Sequence, residues 1–421
     1  MNEKLLQYIW QYRYFNQTNL SLESGENLQV IFPGLPNQNQ GPDFLDARIK
    51  IETTQWVGHV EIHIHASDWY KHVHDEDRNY DNVILHVVLE NDLLPDKDKI
   101  PMLVLNHRIP GLLLNKCEEW MNSLAFIPCA GTVSQVDHLI WVSWKQRLIR
   151  ERLLRKAEEH RKTLEENNFH WEEVFWWKIA SNFGFRVNAN AFESVARTLP
   201  QSLLARHKNQ LIQLEALLLG QAGLLNRKFK DQYPEMLRKE YNFLKTKYQL
   251  RPIFEPIHFL RMRPRNFPTI RLSQLAALIH RSTHLFSVIK EIKDLPTLRS
   301  LLNVSANDYW NRHYRFDEES VFLQKNLGVQ MIDNLLINTT VPIMYSYGWY
   351  HKNELIQERA LNWLDSIPSE TNTILDQWHG ISIQTENAAD SQALLELKSQ
   401  YCDNRKCLAC SIGNSILKKL V

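Results

Sequence analysis

The N-terminal part of the chain alternates apolar and polar positions with a period of two, which is typical of strands that bury one face. Residues 44–52 and 56–65 show this alternation most clearly, with a polar turn between them. Further strands are predicted at residues 27–33, 82–89 and 100–106, and a helix is predicted at residues 3–15. The pattern therefore indicates a mixed sheet of about four to six strands with a short helix before it.

From residue 133 onward, apolar positions recur at helical spacing, and no strand is predicted. Helices are predicted at residues 137–166, 172–180, 203–225, 235–247, 272–292 and 296–303. Pro234 and Pro296 agree with this assignment because proline is tolerated in the first turn of a helix. The predicted fold class is therefore α+β, with an N-terminal mixed-sheet domain at residues 1–132 and a larger all-helical domain at residues 133–421.

Composition and charge change this picture little. The 421 residues are 44% hydrophobic and 23% charged, and the formal net charge is +1. So small a charge creates no global attraction to nucleic acid or membrane, although it leaves room for a local basic groove. No apolar run reaches the roughly 18 residues that a membrane helix needs, and the N-terminus lacks the layout of a signal peptide. We therefore expect no membrane partner, and the oligomeric state stays open.

The strand at residues 56–65 carries the strongest chemical signal in the sequence. One of its faces is apolar and presents Val60, Ile62 and Ile64. The opposite face presents imidazole and carboxylate groups, which belong to His59, Glu61, His63 and His65. Four such groups side by side are unusual in a purely structural sheet, and they favour a metal site.

Asp43 follows Pro42 near the start of one strand, and Glu61 and His63 lie two positions apart on the next strand. This arrangement is similar to the metal site of the PD-(D/E)XK nucleases, whose core a following helix and strand would complete. The resemblance implies a divalent metal, Mg²⁺ or Mn²⁺, that carboxylate oxygens hold for phosphodiester cleavage. It implies Asp43, Glu61 and His63 as catalytic residues, and His63 stands where these nucleases usually have lysine.

The choice of the first carboxylate depends on the geometry at the start of its strand. In a regular strand, Asp46 lies on the polar face, whereas Asp43 shares a face with Leu45 and Ala47. We favour Asp43 because a Gly41-Pro42 turn can hold it apart from the regular strand. Asp46 is the alternative.

The surrounding histidines allow a second hypothesis, a zinc, manganese or iron site with imidazole and carboxylate ligands. Its ligands come from a set that comprises His59, His63, His65, His72, His74, His86, Asp68, Asp75 and Asp77. We predict His65 and His86 as metal ligands beside Asp43, Glu61 and His63, and His86 or Asp77 otherwise supports the ligands. A structural polar face and a ligand-binding site without catalysis are the remaining alternatives.

Motifs along nearly the whole chain also resemble those of an uncharacterised bacterial family, one of the domains of unknown function. The N-terminal motifs are Phe32-Pro33-Gly34, Gly41-Pro42-Asp43-Phe44, residues 58–63, Ser67-Asp68-Trp69 and residues 84–88. The later motifs are Gly220-Gln221-Ala222-Gly223, residues 263–268 and Cys407-Leu408-Ala409-Cys410. This resemblance brings little functional knowledge, so the functional hypothesis depends on the chemistry of the residues.

The chain has five cysteines, an odd number that does not fit a secreted disulfide framework and favours the cytoplasm. Cys402, Cys407 and Cys410 form a compact cluster with four and two residues between them. This spacing suits an iron–sulfur cluster or a zinc ion, with Cys129 as the better candidate for the fourth ligand. The alternative is that these thiols are reduced and bind no metal.

Residues 261–271 contain four arginines and two prolines. Arg261, Arg263 and Arg265 are predicted to contact nucleic acid, since guanidinium groups match phosphate oxygens; ion pairing across helix ends is the alternative. The leading hypothesis is a cytoplasmic metal-dependent phosphodiesterase that acts on DNA or RNA. The alternatives are a non-enzymatic binding or scaffold protein with a structural or degenerate metal site, and a metal-dependent hydrolase of a small molecule.

Overall fold

The computed structural model describes residues 2–37, 39–93, 100–260, 262–282 and 284–420. The chain divides into two compact units. The first comprises Met1–Lys145, Thr373–Gln384 and Leu394–Val421, and the second comprises Gln146–Asn372 and Thr385–Ala393. The predicted boundary between residues 132 and 133 stays a prediction. The hydrophobic periodicity does not indicate that C-terminal segments return to the first unit.

A mixed β-sheet forms the centre of the first unit. Its strands are β1 (Leu28–Phe32), β2 (Leu35–Pro36), β3 (Phe44–Ile51), β4 (Thr54–His65), β5 (Val83–Glu90) and β6 (Met102–Val104). They lie in the order β1-β3-β4-β5-β6, with β2 paired to β3. β1, β3 and β4 form an antiparallel meander, whereas β5 runs parallel to β4 and β6 runs parallel to β5. β4 is therefore the strand at which the sheet changes from antiparallel to parallel pairing.

Helices make up most of the rest of the described chain. In chain order they are α1 (Glu3–Tyr12), α2 (Asp68–Lys71), α3 (Gly111–Asn122), α4 (His138–Glu166), α5 (Trp171–Phe183), α6 (Phe185–Thr198), α7 (Gln201–Arg206), α8 (Leu211–Gln221), α9 (Gln232–Tyr248), α10 (Pro268–Arg281), α11 (Leu285–Glu291), α12 (Leu295–Leu302), α13 (Val329–Leu335), α14 (Val341–Tyr350), α15 (Glu354–Ser366), α16 (Thr373–Gly380), α17 (Ala388–Glu396) and α18 (Ser411–Lys418). In the described ranges, none is both long and apolar enough to cross a membrane. The predicted α+β class, a mixed sheet followed by a larger helical region, is confirmed.

A β-bulge near the start of β3 decides which side chains face the interior. The pairing of β3 with β4 shifts between Phe44 and Ala47, and Asp46 adopts a φ of 56°. Because of this extra residue, Phe44 and Ala47 are both buried although they lie three positions apart. The bulge removes the conflict of faces that a regular strand would produce, and Asp43 lies directly before it.

α1 packs against β4 through an apolar stripe. Leu6, Ile9 and Trp10 are fully buried, and the Trp10 indole donates to the Pro33 carbonyl at 2.9 Å. Burial of such side chains stabilises the unit by roughly 1.5–3 kcal/mol each. Gln7 lies in the same helix, so the packing of α1 also fixes where this polar side chain lies.

The helical region differs from the predicted one in several places, and α6 and α13–α18 do not correspond to any of the individually predicted helices. The predicted helix at residues 203–225 is two helices, α7 and α8, and the polar residues 207–210 lie between them. The predicted helix at residues 272–292 likewise consists of α10 and α11. A two-stranded antiparallel ribbon of β7 (His313–Arg315) and β8 (Glu318–Glu319) lies within the region predicted to be all-helical.

Candidate metal centre

Two neighbouring strands and the loop between them carry the candidate site. Glu61 and His63 lie on β4, and His86 of β5 lies beside Glu61 in the strand register. The three residues are only 5%, 2% and 3% exposed. Three buried ionisable side chains at the centre of a sheet are costly unless they are paired or bind a ligand, so their partners decide what the site does.

Asp43 and Glu61 are neighbours in space. The Asp43 amide donates to Glu61 Oε2 at 2.9 Å. The Asp43 carboxylate accepts from Gln7 Nε2 at 2.8 Å and from the Ile62 amide at 3.2 Å. Burial raises the pKa of both carboxyl groups, and the charge of Asp43 raises the pKa of Glu61 further. Among the described residues, no lysine or arginine pairs with either carboxylate, so no protein cation compensates their charge.

Imidazole groups surround the other oxygen of Glu61. His63 Nε2 lies 3.6 Å from Glu61 Oε1, and His74 Nε2 lies 3.4 Å from the same oxygen. His63 Nε2 is also 3.1 Å from His72 Nδ1. One candidate ligand nitrogen from each of His63, His72 and His74 lies within 4.8 Å of the other two. Three imidazole nitrogens therefore converge, and Glu61 Oε1 lies beside two of them; imidazole and carboxylate donors of this kind suit a divalent transition metal.

The buried imidazoles are held in their neutral form. Burial lowers the pKa of His63 to about 3, and the neighbouring histidines contribute to this shift. Burial also lowers the pKa of His86 to about 4 and lowers the pKa of His74. Metal ions bind the neutral imidazole, so these nitrogens do not have to lose a proton at neutral pH.

His86 contacts the ring nitrogen of His63 that is not the one beside Glu61. His63 Nδ1 lies 2.9 Å from His86 Nε2. A hydrogen bond at one ring nitrogen fixes the orientation of the ring and leaves the other nitrogen for a ligand. Nε2 is therefore the nitrogen of His63 that faces the other candidate ligands. His86 is predicted as a ligand, but it contacts His63 and does not belong to the group of His63, His72 and His74.

Aromatic side chains line one side of the group. Tyr80 stacks on His74 with ring centroids 3.9 Å apart, and Trp69 lies against His74 and His86 at centroid distances of 5.4 and 5.3 Å. Asp77 caps the turn that carries Tyr80, where its carboxylate accepts from the Asn79 amide at 2.9 Å. His72 is exposed, so the group is open to solvent on that side.

Other predicted strand residues lie outside the converging groups. Asp46 is exposed, and its amide donates to His59 Nδ1 at 3.3 Å. The His65 side chain is 45% exposed and lies 3.9 Å from Glu90 Oε2. Of the two aspartates considered, Asp43 is the one beside Glu61, and His65 is not part of the group around His63.

The cysteines and arginines singled out by the sequence lie in different units. Cys129, Cys402, Cys407 and Cys410 are in the first unit, and none of them forms a disulfide. In the second unit, Arg263 and Arg265 are exposed, while Arg261 lies outside the described residues. Arg271 of the same stretch is buried and donates to Gln274 and Asn266, so its role is internal.

Gln7 and the aromatic wall of Trp69 and Tyr80 are parts of the site that the sequence interpretation misses. The sequence offers one signal for Gln7. Glu3 and Gln7 lie four positions apart on α1, so their polar side chains share one helix face. Nothing local indicates that Gln7 contacts a residue 36 positions later. Trp69 falls in a motif that resembles the bacterial family, and that resemblance assigns it no role.

A family model described as "Protein of unknown function (DUF2851)" matches residues 3–373. No curated protein and no solved structure matches the chain. The match spans the whole sheet and most of the helical region, so the predicted resemblance to a family of unknown function is confirmed. The chain belongs to the DUF2851 family.

Proposed function

We propose that the protein is a metal-dependent phosphodiesterase that cleaves DNA or RNA. The observation that carries this proposal is the position of Glu61, whose carboxylate faces His63, His74 and the Asp43 amide at the centre of the sheet. A carboxylate and neutral imidazoles without a protein cation form a site for a divalent metal ion. The exposed His72 leaves the site open, which catalysis requires.

Glu61, His63, His72 and His74 are the residues that hold the ion in this proposal. Imidazole ligands suit Zn²⁺, Mn²⁺ or Fe²⁺, whereas Mg²⁺ prefers oxygen ligands alone. Because Mn²⁺ accepts both imidazole and carboxylate ligands, it is the metal we propose. When bound, such an ion polarises a phosphoryl oxygen and lowers the pKa of a water molecule.

Asp43 is placed to handle a proton beside the ligands. Gln7 and the Ile62 amide fix its two carboxylate oxygens at 2.8 and 3.2 Å. Burial raises the pKa of this carboxyl group, which brings it closer to the range in which a general base works at neutral pH. We assign Asp43 as the group that accepts the proton of the attacking water.

The order of the elements supports a phosphodiester substrate. α1 precedes the meander of β1, β3 and β4, and the short α2 leads to β5, which is parallel to β4. This order resembles the PD-(D/E)XK core, with an aspartate before β3 and a Glu-x-His sequence on β4. Because His63 replaces the usual lysine, the positive charge at the site comes from the metal ion in this proposal.

We also propose that Arg263 and Arg265 contact the phosphate backbone. Both side chains are exposed, and neither pairs with a carboxylate in the part of the chain that the structure describes. Arg238 is a matched control because it pairs with Glu235, so Arg238→Ala should leave nucleic-acid affinity unchanged where Arg265→Ala lowers it.

Cleavage of single- and double-stranded DNA and RNA, with Mn²⁺, Mg²⁺ or Zn²⁺ supplied, tests the proposal. We expect Glu61→Gln and His63→Ala to lower the cleavage rate roughly 100-fold or more. His65→Ala is the matched control, since His65 lies two positions from His63 on β4 but faces Glu90. Equal cleavage by Glu61→Gln and by the unmodified protein would overturn the proposal.

A structural metal site without catalysis is the second candidate, because the nitrogens of His63, His72 and His74 already converge and Glu61 lies beside two of them. Calorimetric titration with Mn²⁺ and Zn²⁺ separates the two functions. Metal binding that His63→Ala abolishes, without cleavage of any nucleic acid, would favour the structural site. Hydrolysis of bis(p-nitrophenyl) phosphate without nucleic-acid cleavage would instead indicate a hydrolase of small molecules.

A further inference from the structure

Two segments that are distant in sequence pack against each other in the first unit. The Arg405 guanidinium donates to the Ser123 carbonyl, and Lys419 Nζ donates to the Gln135 carbonyl at 2.8 Å. The segment after α3 is therefore held beside the C-terminal residues 401–419. These contacts bring Cys129 to the three C-terminal cysteines.

Four thiols meet where the two segments touch, and they belong to Cys129, Cys402, Cys407 and Cys410. Cys129, Cys407 and Cys410 are buried, and no disulfide joins any of them. Burial raises the pKa of these thiols. The charge of one thiolate also raises the pKa of another thiol, and every one of the six pairs among the four residues shows such an interaction. All four sulfur atoms are therefore close enough to act on one another.

Two backbone amides donate hydrogen bonds to the Cys410 sulfur atom. Burial raises the pKa of the Cys410 thiol, and hydrogen bonds from the amides of Ile412 and Gly413 lower it. Gly413 is needed for this approach, since a Cβ at that position would lie 2.3 Å from the Cys407 carbonyl oxygen. Donors directed at a sulfur atom stabilise the thiolate, and the thiolate is the form that binds metals.

We propose that Cys129, Cys402, Cys407 and Cys410 bind one inorganic metal centre through four thiolates, and that this centre is an iron–sulfur cluster. The proposal does not depend on the function of the histidine site. Cys117 is not included, because among these four residues only Cys407 has Cys117 as an electrostatic neighbour.

The spacing of the cysteines along the sequence is the basis for proposing a cluster. Cys402, Cys407 and Cys410 have the spacing of the three-cysteine run in plant-type iron–sulfur proteins, and Cys129 supplies a fourth ligand from a distant segment. A zinc ion bound by the same four thiolates is the alternative that the metal analysis tests.

The centre ties the C-terminal segment to the segment after α3. Cross-links between positions so distant in sequence restrict the unfolded chain most, and they stabilise the folded form for that reason. Its role in this proposal is to hold the first unit together, and none of its ligands belongs to the group around Glu61.

Metal analysis of the full-length protein, produced with iron supplied and purified without oxygen, tests this proposal. We expect iron and acid-labile sulfide in nearly equal amounts, with the visible charge-transfer absorption of a cluster. Zinc at one ion per chain without iron would overturn the assignment to a cluster. Absence of both metals would overturn the metal centre itself.

Variants show whether these four thiols are the ligands. Cys129→Ser and Cys407→Ser are expected to lose most of the bound iron, whereas Cys117→Ala, a change at another buried thiol, should retain it. His63→Ala should also retain the iron, so failure of the cluster and failure of the histidine site are distinguishable. Far-ultraviolet circular dichroism separates loss of metal from loss of fold, and folded ligand variants with unchanged iron content would refute the assignment.

Discussion

Glu61 is the residue at which metal binding and the stability of the fold compete. Its side chain is almost completely buried, with Oε2 on the Asp43 amide and Oε1 facing His63 and His74. Burial and the charge of Asp43 raise the pKa of Glu61, so the folded chain without metal disfavours the ionised carboxylate. A bound cation removes this penalty, which is why the same carboxylate suits a metal site.

Glu61→Gln is therefore expected to stabilise the metal-free protein and to weaken metal binding. Because the pKa of Glu61 is higher in the folded chain, its ionisation costs stability as the pH rises above the unfolded value of about 4.5. Glutamine cannot ionise, so we expect a gain on the order of a few kcal/mol at pH 8 that disappears below pH 4. Urea unfolding with a chelator at both pH values measures this difference.

Addition of Mn²⁺ should reverse the order of the two proteins. Only the unmodified carboxylate compensates the charge of the ion, and binding to the folded form adds to its stability. A Glu61→Gln variant that gains as much stability from Mn²⁺ as the unmodified protein would contradict the assignment of Glu61 as a ligand.

At the residue scale, the sequence predicts Glu61 and His63 because strand alternation is a local rule. It predicts Asp43 only through the Gly41-Pro42 turn, whereas the structure uses a bulge with a positive φ at Asp46. A bulge of this kind depends on pairing with β4, which alternation alone does not specify. Gln7 is not predictable from local pattern either, since its contact with Asp43 follows from the packing of α1.

At the scale of elements, one buried carboxyl group of the second unit, Glu215 of α8, accepts hydrogen bonds from three other segments. Ser273 of α10 and Tyr233 of α9 donate hydroxyl hydrogen bonds to it, and the Trp310 indole donates at 3.3 Å. The residue is fully buried, and burial raises the pKa of Glu215 to about 7. Its protonation state therefore affects three elements at once.

We expect the second unit to lose stability as the pH rises from about 5 to 8. The folded pKa of Glu215, about 7, lies above the unfolded value of 4.5. The stabilisation is therefore fully present below pH 4.5 and is lost as the pH rises through 7, by roughly 3 kcal/mol. Glu215→Gln should flatten this dependence, and denaturant unfolding across the pH series measures it.

Glu193→Gln serves as the control for the Glu215 prediction. Glu193 is also partly buried, but Arg197 and Lys178 pair with it and hold its pKa below the usual value despite that burial. Its removal should leave the slope between pH 5 and 8 unchanged. A slope that survives in Glu215→Gln would show that another group causes it.

The sequence pattern locates most elements but not every interruption. Residues 203–225 are predicted as one helix because apolar positions recur on both sides of residues 207–210. In the structure, His207 bonds to Gln213 and Tyr248 and ends α7 there. Such side-chain contacts form only after the helices pack, so helical periodicity does not reveal them.

At the scale of the whole molecule, the C-terminal residues 394–421 belong to the same compact unit as the N-terminal sheet. Tyr14 donates to Asn414 at 2.7 Å, and Trp144 lies against Tyr401 with ring centroids 5.2 Å apart. The sequence indicates a link only through the four cysteines, where Cys129 is predicted to join the C-terminal three. Contacts between positions so far apart have no local signal, so the rest of this return is not predictable from periodicity.

Removal of residues 394–421 is expected to abolish cooperative unfolding of the first unit. The segment buries five large apolar side chains in that unit: Leu394, Leu397, Ile412, Ile416 and Leu417. At roughly 1.5–3 kcal/mol each, their loss is comparable to the whole stability of a typical domain. Near-ultraviolet circular dichroism of a chain that ends at Ala393 should show loss of fixed tryptophan packing around Trp144.

A chain that ends at Lys418 is the matched control, because it keeps α18 and loses the hydrogen bond from Lys419 to the Gln135 carbonyl. One such bond contributes about 1 kcal/mol, so this shorter deletion should lower the unfolding midpoint slightly and leave the transition cooperative. If the chain ending at Ala393 unfolded with the same midpoint and cooperativity as this control, residues 394–418 would not stabilise the first unit. In that case the buried contacts of Trp144 with the C-terminal segment would contribute no net stability.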